Sequence, residues 1–426
     1  IGSANPGTGP LEKVLDPIVE GWQLGWRTAI AVLRRLRTGI DYPGLAELIS
    51  AFYRAVVEGR QSPVEPRHLL RVTEVYEGLV ANLSAASQRT TRSHPTPRPG
   101  APAAAPAGPL AVLTGARGFL GSRIARHLAA SGYRVRGISR SPDHDLPHVH
   151  EWLQADLAVG TPSEAFDGAD VVIHAAAETS GGYDAHQRNS IDATRNLLRA
   201  LRDSGVTRLV HVSSLSTLQP AALPWERLDE GTRLAQNPRR LGAYTWGKTL
   251  AEGVVTSSAG AHGVEARIIR PAALIDLSEP ELPGLVGRRL FGRWHLGFGR
   301  PALPIAVCDV DRCAAVIAWC AIRFDQAPPV VNLVDPEITS RRDLLRAFRA
   351  KGWRGRMVWV PIGGIAAAYA LVRSVMSIKG GASDKLAVWS ILRPQRYDVS
   401  VSRSVLEVVR RDVSLPRIRV ERQLTA

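Results

Sequence analysis

The sequence predicts an α/β protein built on a doubly wound parallel sheet. From Leu110 onward, short apolar runs typical of strands alternate with helical patterns. The first of these runs ends in a glycine-rich turn, "TGARGFLG". Strands separated by helices of this length form a parallel sheet, because each connection must cross back over the sheet. The runs with strand character are "LAVLTG", "YRVRGIS", "DVVIHAAA", "RLVHVSS" and "EARIIRP".

The chain of 426 residues is too long for one ordinary core, and its composition divides it into three segments. Residues 1–88 have helical patterns and are predicted to form a helical segment. Residues 89–109 contain six prolines among Ala, Ser and Thr, so they cannot bury a core and are predicted to be a linker. Residues 110–426 are predicted to form the main domain. Within it we expect a nucleotide-binding core over about 110–275 and a small substrate subdomain mainly over 276–426.

The net charge of +15 is concentrated near the C-terminal end, where residues 341–426 carry 18 basic and six acidic side chains. This excess indicates an anionic partner, such as a diphosphate substrate or a membrane surface. A solvated basic surface is an equally good interpretation. Because no nucleic-acid recognition motif is found, we expect no nucleic-acid partner.

Cysteine usage and hydropathy predict a cytoplasmic protein. The three cysteines, Cys308, Cys313 and Cys320, have no paired spacing and no nearby histidines, so we expect buried thiols in a reducing compartment. No run of 18 apolar residues is found, and "IGSANPGTGP" does not resemble a signal peptide. The histidine-rich stretch "DHDLPHVH" is interpreted as a solvated loop rather than a metal site, so no metal is predicted.

The glycine-rich turn predicts a dinucleotide site of the Rossmann type. Gly115 allows the tight turn, Gly118 allows a pyrophosphate to approach the backbone, and Gly121 allows the helix to pack on the strand. The pyrophosphate would then lie at the positive end of the helix. The order of strand, turn and helix strengthens a motif that is weak by itself.

The stretch "YTWGK" predicts the acid/base group of an enzyme. Tyr244 and Lys248 are four residues apart and so share one face of a helix. A lysine ammonium beside a tyrosine is expected to lower the phenol pKa from its usual value near ~10. Ser214, in "HVSSLS" at the end of a strand, offers a hydroxyl to a substrate oxygen.

Together these motifs resemble the extended short-chain dehydrogenase/reductase family over residues 110–420. The matching elements are "TGARGFLG", "ADL", "VVIHAAA", "NSIDATRNLL", "HVSS", "YTWGK" and "IIRPA". The resemblance implies that Tyr244 is the general acid/base, Lys248 its partner and a ribose ligand, and Ser214 the group that polarises the substrate. It also implies cofactor contacts along the cleft, from Phe119, Leu120, Asp156, Leu157, Ala175, Ala176, Ala177 and Pro271.

The second strand indicates which nicotinamide cofactor is bound. In this fold an acidic residue after that strand holds the ribose 2′-hydroxyl of NAD, whereas arginine accommodates the 2′-phosphate of NADP. Here the strand ends in Ser139 and Arg140 without an acid. We therefore expect NADP to be preferred, with Arg117 and Arg140 as the phosphate clamp, and NAD remains an alternative.

The departures from the family pattern favour an oxidoreductase acting on an alcohol or ketone. Leu215 and Ser216 follow Ser214 where dehydratases carry an Asp and Glu pair, which weakens dehydration. Two alternatives stay open: an NAD-dependent nucleotide-sugar epimerase and a non-catalytic NADP-binding regulator. We expect a small-molecule substrate. A homodimer, and an apolar helix over residues 362–372 that lies on the cleft or docks on lipid, are further open alternatives.

The N-terminal segment resembles a different family. Its pattern "GLAELISAFYRAVVEGRQSPVEPRHLLRVTEVYEGL" is similar to the C-terminal end of the glucose-fructose oxidoreductase and inositol dehydrogenase family. The resemblance implies the remnant of an upstream oxidoreductase module, and a plain helical hairpin is the alternative. Because the chain starts at Ile1, it is interpreted as a possible fragment of a longer bifunctional protein.

Overall fold

A computed structural model describes residues 43–59, 77, 108–140, 146–284, 286–361, 363 and 394–412. The chain divides into two compact units. The first contains helix α1 (Pro43–Val57), and the second contains everything described from Gly108 onward. The rest of the predicted N-terminal helical segment and nearly all of the linker lie outside the described residues. The helix predicted near residues 362–372 also lies outside them, apart from Gly363.

The second unit is built on a seven-stranded sheet, which confirms the predicted Rossmann-type α/β fold. The sheet order is β12-β7-β5-β4-β1-β2-β3, and every neighbouring pair is parallel. Its strands are β1 (Leu110–Thr114), β2 (Arg134–Ser139), β3 (Glu151–Gln154), β4 (Val171–His174), β5 (Arg208–Val212), β7 (Glu265–Pro271) and β12 (Val330–Leu333). The five strand runs recognised in the sequence are β1, β2, β4, β5 and β7.

Helices cover both faces of the sheet, as its burial pattern requires. The helices after α1 are α2 (Gly121–Ala130), α3 (Tyr183–His186), α4 (Ala193–Ser204), α5 (Ala243–Ser258), α6 (Val310–Ile322), α7 (Arg341–Ala350) and α8 (Ser400–Arg411). A π-helical segment, Gln187–Asp192, joins α3 to α4. Among the described residues, no helix has the length and apolar character to cross a bilayer.

Strand β1 shows why the core has two layers. All five of its side chains are buried. Ala111 and Leu113 belong to the cluster formed with α2 and α6, whereas Val112 belongs to the cluster formed with α4 and α5. Successive strand side chains point to opposite faces, so a continuous apolar run is what a strand covered on both sides needs.

Smaller sheets and a third core complete the unit. Strands β9 (Gly287–Phe291), β10 (Trp294–Phe298) and β13 (Arg356–Val360) form a three-stranded sheet. Two short pairs join β8 (Ala273–Ile275) to β11 (Val307–Asp309) and β6 (Arg227–Leu228) to β14 (Arg396–Tyr397). The small core beside them is lined by Ile275, Val286, Val307, Ile338, Leu344 and Phe348.

Elements from beyond residue 275 also join the sheet and its core, and the division into a nucleotide-binding core and a substrate subdomain stays a prediction. Strand β12 pairs with β7, and α6 packs on the sheet. The C-terminal helix α8 also contributes Val405 and Leu406 to the main core. Strand β12 covers the edge of β7 and is itself the last strand on that side of the sheet.

Candidate active site

One cleft brings together all the residues that the sequence analysis assigned to the site. It lies where the parallel strands end, at the edge where this fold places its ligands, and has a volume of about 1200 Å³. Strand order reverses between β1 and β4, the topological switch point. The lining includes Gly115, Arg117, Gly118, Phe119, Leu120, Gly121, Arg140, Asp156, Leu157, Ala175, Ala176, Ala177, Ser214, Tyr244, Lys248 and Pro271. The roles of these residues remain predictions.

The glycine turn is shaped for a dinucleotide pyrophosphate. Gly115 has a φ of +75°, and a Cβ on it would lie 2.8 Å from the backbone nitrogen of Ala176. A Cβ on Gly121 would lie 2.0 Å from the carbonyl oxygen of Gly115. No side chain caps the N-terminus of α2, and the positive end of the helix dipole there favours an anionic group. The turn therefore fits the group that the sequence motif implies.

Gly121→Ala is expected to weaken dinucleotide binding at least about tenfold, because the methyl group would push the turn away from the helix. The measurement is the Kd for NADPH and NADH by fluorescence titration. Gly253→Ala, in α5, is the control because nothing lies within 4 Å of its Cβ position. We expect the control to keep wild-type affinity. Equal affinity in both variants would contradict a pyrophosphate site at this turn.

A buried histidine ties β1 to β4 at the switch point. His174 Nδ1 lies 2.8 Å from Thr114 Oγ1, and its Nε2 lies 3.1 Å from Thr194 Oγ1. Burial lowers the pKa of His174 to about 3, so the ring is neutral. Thr114 Oγ1 also accepts from the backbone nitrogen of Ala176, at 3.2 Å. These hydrogen bonds thus hold the part of the cleft wall formed by Ala175–Ala177 against the glycine turn.

Ser214 and Tyr244 form the polar centre of the cleft. The Ser214 hydroxyl oxygen accepts two hydrogen bonds from Ser216, one from the Ser216 backbone nitrogen at 3.2 Å and one from the Ser216 hydroxyl at 3.1 Å. A hydroxyl with two such donors keeps its own hydrogen for a third group. Tyr244 is 37% exposed toward the cleft, and Ser214 is hydrogen-bonded to it.

The pKa of Tyr244 is raised, opposite to the direction that the sequence analysis predicts. Burial of the phenol raises this pKa, and the hydrogen bond from Ser214 only partly opposes the effect. Lys248 lies on the same helix, and its Nζ donates to the carbonyl oxygen of Val212 at 2.8 Å. Burial also lowers the pKa of Lys248 to about 8, which the nearby Glu252 carboxylate partly opposes. The phenol therefore holds its proton at neutral pH.

A buried ion pair behind Lys248 escaped the sequence analysis. Glu252 is fully buried on α5, one turn after Lys248, and its Oε1 accepts from Arg270 Nη2 at 2.6 Å and Nε at 2.9 Å. Its other oxygen accepts from the hydroxyls of Ser213 and Thr217. The spacing of Tyr244, Lys248 and Glu252 on one helix face was the signal that could have revealed it.

An acidic residue at the cleft edge was also missed. Glu178 Oε1 accepts the backbone amides of Thr179, Ser180 and Gly181, and its Oε2 accepts from Asn189 Nδ2 at 2.9 Å. These bonds lower the pKa of Glu178 to about 2, so it is ionised. Asn189 lies in the π-helical segment and also lines the cleft. Such segments are frequent at functional sites because they redirect side chains within a helix.

The helix that carries Tyr244 and Lys248 packs closely against a buried histidine, His186. A Cβ on Gly247 would lie 2.6 Å from His186 Nδ1, so the two elements approach closely only because residue 247 is glycine. The His186 ring also contacts the Tyr244 ring edge to face, with centroids 6.1 Å apart. Burial lowers the pKa of His186, which keeps it uncharged there.

The arginines of the predicted phosphate clamp lie at the cleft and are exposed to solvent. Arg117 belongs to the glycine turn, and Arg140 follows β2. Asp156, after β3, is ion-paired with Arg188 at 2.7 Å, and its second oxygen accepts from the backbone nitrogen of Ala158. Its charge is therefore compensated within the protein. Strand β2 ends in Ser139 and is followed directly by Arg140, so neither of these two positions is acidic.

Fold and site together define a dinucleotide-binding domain of the Rossmann class with a serine, tyrosine and lysine at the end of its central strands. Residues 111–278 match the NAD dependent epimerase/dehydratase family. Over these residues the chain is similar to the extended short-chain dehydrogenase/reductase family. This confirms the resemblance drawn from the motifs of the domain.

Curated relatives are similar over this domain. The chain is 31% identical over 180 residues to cinnamoyl-CoA reductase 1 of Oryza sativa subsp. japonica, covering 38% of this chain and 52% of that protein. It is 28% identical over 295 residues to ceramide reductase of Caulobacter vibrioides, covering 63% of this chain and 78% of that protein. The chain spans about half the length of the first curated relatives that it matches.

A solved structure shares the fold. The crystal structure of gox2253 superposes with a TM-score of 0.55 at 19% identity, covering 70% of this chain and 92% of that chain. At this level of identity the likeness concerns the fold alone.

Proposed function

We propose that this protein is an NAD(P)H-dependent oxidoreductase that reduces the carbonyl group of a small molecule to an alcohol. The observation that carries the proposal is that Ser214, Tyr244 and Lys248 line one cleft together with the glycine turn. A phenol that keeps its proton at neutral pH can donate it to the oxygen of a carbonyl as negative charge develops there. The names of the curated relatives, which are reductases, support the same direction of reaction.

A nicotinamide cofactor held at the glycine turn would supply the hydride that the carbonyl carbon accepts. Ser214 directs its hydroxyl hydrogen at the substrate oxygen and stabilises the charge that forms on it. Tyr244 then transfers its phenolic proton to that oxygen, which completes the alcohol. Lys248, held by the Val212 carbonyl, places a positive charge beside the phenolate left behind and so favours the transfer.

The walls of the cleft support a substrate with an apolar body. Beyond the cofactor contacts, the lining contains the apolar residues Leu218, Pro220, Leu228, Leu241, Leu274, Pro304, Ile305 and Ala306. An apolar wall around a few polar groups is typical of small-molecule sites, because the wall supplies affinity and the polar groups fix orientation. Dehydration receives no support here, since Leu215 and Ser216 follow Ser214.

We further propose that NADPH is the preferred cofactor. Arg140 and Arg117 are exposed cations at the cleft, placed after β2 and within the glycine turn. Guanidinium groups bind the charged 2′-phosphate of NADP strongly. The 2′-hydroxyl of NAD is instead bound by an acidic residue at the end of the second strand in this fold.

Arg140→Asp is expected to weaken NADPH binding by about 10- to 100-fold, because a charge-assisted bond is replaced by repulsion. NADH binding is expected to change little. Fluorescence titration of both cofactors measures the two Kd values, and Arg199→Asp, an exposed change on α4, is the control. Preference for NADH in the wild-type protein would overturn the assignment of NADPH.

The activity itself is tested by following NADPH oxidation with a panel of apolar ketones and aldehydes. Net oxidation that depends on a carbonyl substrate supports the proposal. Cofactor binding without net turnover, together with interconversion of a nucleotide sugar, would favour the epimerase. Binding without any turnover would favour a regulator.

A further inference from the structure

The cleft contains a buried arginine that has no ion pair with any of the described residues. Arg341 is the first residue of α7 and is 5% exposed, yet it lines the cleft. Its Nε and Nη1 atoms are buried and have no hydrogen-bond partner in the described part of the chain. The nearby carboxylate of Asp343 is engaged elsewhere, with Ser340 and Thr339.

An uncompensated guanidinium in the protein interior is costly. An arginine stays protonated under all ordinary conditions, so burial removes hydration from a charge that cannot be discharged. The pKa of Arg341 is lowered by burial, and no acidic neighbour opposes that shift. The free-energy cost of a buried charge is usually offset by an anion that pairs with it. Where it is not offset, the residue usually lies at a functional site.

The backbone holds Arg341 in a fixed place on the wall of the cleft. The Arg341 amide donates to the carbonyl oxygen of Leu303 at 3.1 Å, and the Ile305 amide donates to the Thr339 carbonyl at 3.2 Å. Pro304 and Ser340 form a β-bridge between these two segments. Pro304, Ile305 and Ala306 are themselves lining residues, so Arg341 is a cation set in an apolar wall.

We propose that Arg341 binds an anionic oxygen group, a carboxylate or a phosphate, on the substrate. The inference rests on the proposed function and deepens it. The substrate would be a carbonyl compound with an apolar body and an anionic end. The cofactor phosphates are assigned to the glycine turn and to Arg117 and Arg140, on other elements, and this leaves Arg341 for the substrate.

The test compares Arg341→Leu with the wild-type protein, both saturated with oxidised cofactor. The probes are a medium-chain 3-oxo carboxylate, its methyl ester and inorganic pyrophosphate, with Kd values from calorimetry. We expect the wild type to bind an anionic probe about 10- to 100-fold more tightly than Arg341→Leu does, because a charge-assisted hydrogen bond is lost. Arg342→Leu is the matched control, since Arg342 is exposed on the same helix.

The probes distinguish the two sources of negative charge. Tighter binding of the carboxylate than of the ester, lost in Arg341→Leu, identifies a carboxylate. Binding of pyrophosphate that depends on Arg341, without preference for the carboxylate, identifies a phosphate group. Equal affinity of the wild type and Arg341→Leu for both anions overturns the proposal.

A second readout separates binding from a structural role. Because Arg341 has no protein partner for its buried atoms, Arg341→Leu is expected to melt at the same temperature as the wild type or higher. A lower melting temperature with unchanged anion binding would show a structural arginine and overturn the inference. If anion binding depends on Arg341 but no carbonyl compound is reduced, only the proposed function is overturned. If ketones are reduced but anion binding does not depend on Arg341, only this inference is overturned.

Discussion

Tyr244→Phe is expected to lower the turnover number for carbonyl reduction by about 10²- to 10⁴-fold, the usual contribution of a positioned general acid. The substitution removes the phenolic proton and leaves the ring, which contacts His186. The Kd for the cofactor should therefore stay close to that of the wild type. Steady-state kinetics with NADPH and a carbonyl substrate, together with a cofactor titration, provide the measurement.

The control is Tyr183→Phe, which removes a hydroxyl close by but outside the cleft. The Tyr183 hydroxyl donates to the Arg239 carbonyl at 2.8 Å, so its loss tests for effects of a missing hydroxyl alone. We expect this variant to keep most of its activity. If both variants turned over at the wild-type rate, Tyr244 would not be the proton donor, and the proposed mechanism would be wrong.

Glu252→Ala is expected to lower the free energy of unfolding by about 3 to 5 kcal/mol, because it leaves Arg270 buried without its partner. Glu252 is fully buried, and Arg270 is 5% exposed. The hydroxyls of Ser213 and Thr217 would lose their acceptor at the same time. Chemical denaturation followed by circular dichroism measures the change.

The matched control is an exposed ion pair made by a second arginine on β7, Arg267. Glu265 is ion-paired with Arg267 at 2.6 Å, but its carboxylate is 60% exposed. Glu265→Ala should therefore cost no more than about 1 kcal/mol. If the two variants lost similar free energies of unfolding, burial would not be the reason for the strength of the Glu252–Arg270 pair. The expectation would then be wrong.

The buried pair also connects stability to the chemistry of the site. Glu252 lies one turn after Lys248 on α5 and binds Ser213, which directly precedes Ser214. It thus holds the helix that carries Tyr244 against the segment after β5 that contains Ser213 and Ser214. We interpret it as a positioning group, since it does not line the cleft.

The sequence by itself determined the central fold and most of the cleft. Short apolar runs such as "LAVLTG", bounded by glycine, predict strands covered on both faces, and the glycines after β1 are required by a tight turn that a Cβ would block. The spacing of Tyr244 and Lys248 is a local property of a helix, so it too can be deduced from the sequence. These features depend on near neighbours in the chain.

The remaining features depended on contacts between residues far apart in sequence. Arg270 reaches Glu252 only after β7 lies beside α5, and β12 joins the sheet from beyond the predicted boundary. The direction of the Tyr244 pKa was also decided by the tertiary structure, because burial of the phenol is absent from the local pattern. Burial is a property of the assembled molecule, and so the sequence could show Arg341 as a basic residue but not as an unpaired charge in the wall of the cleft.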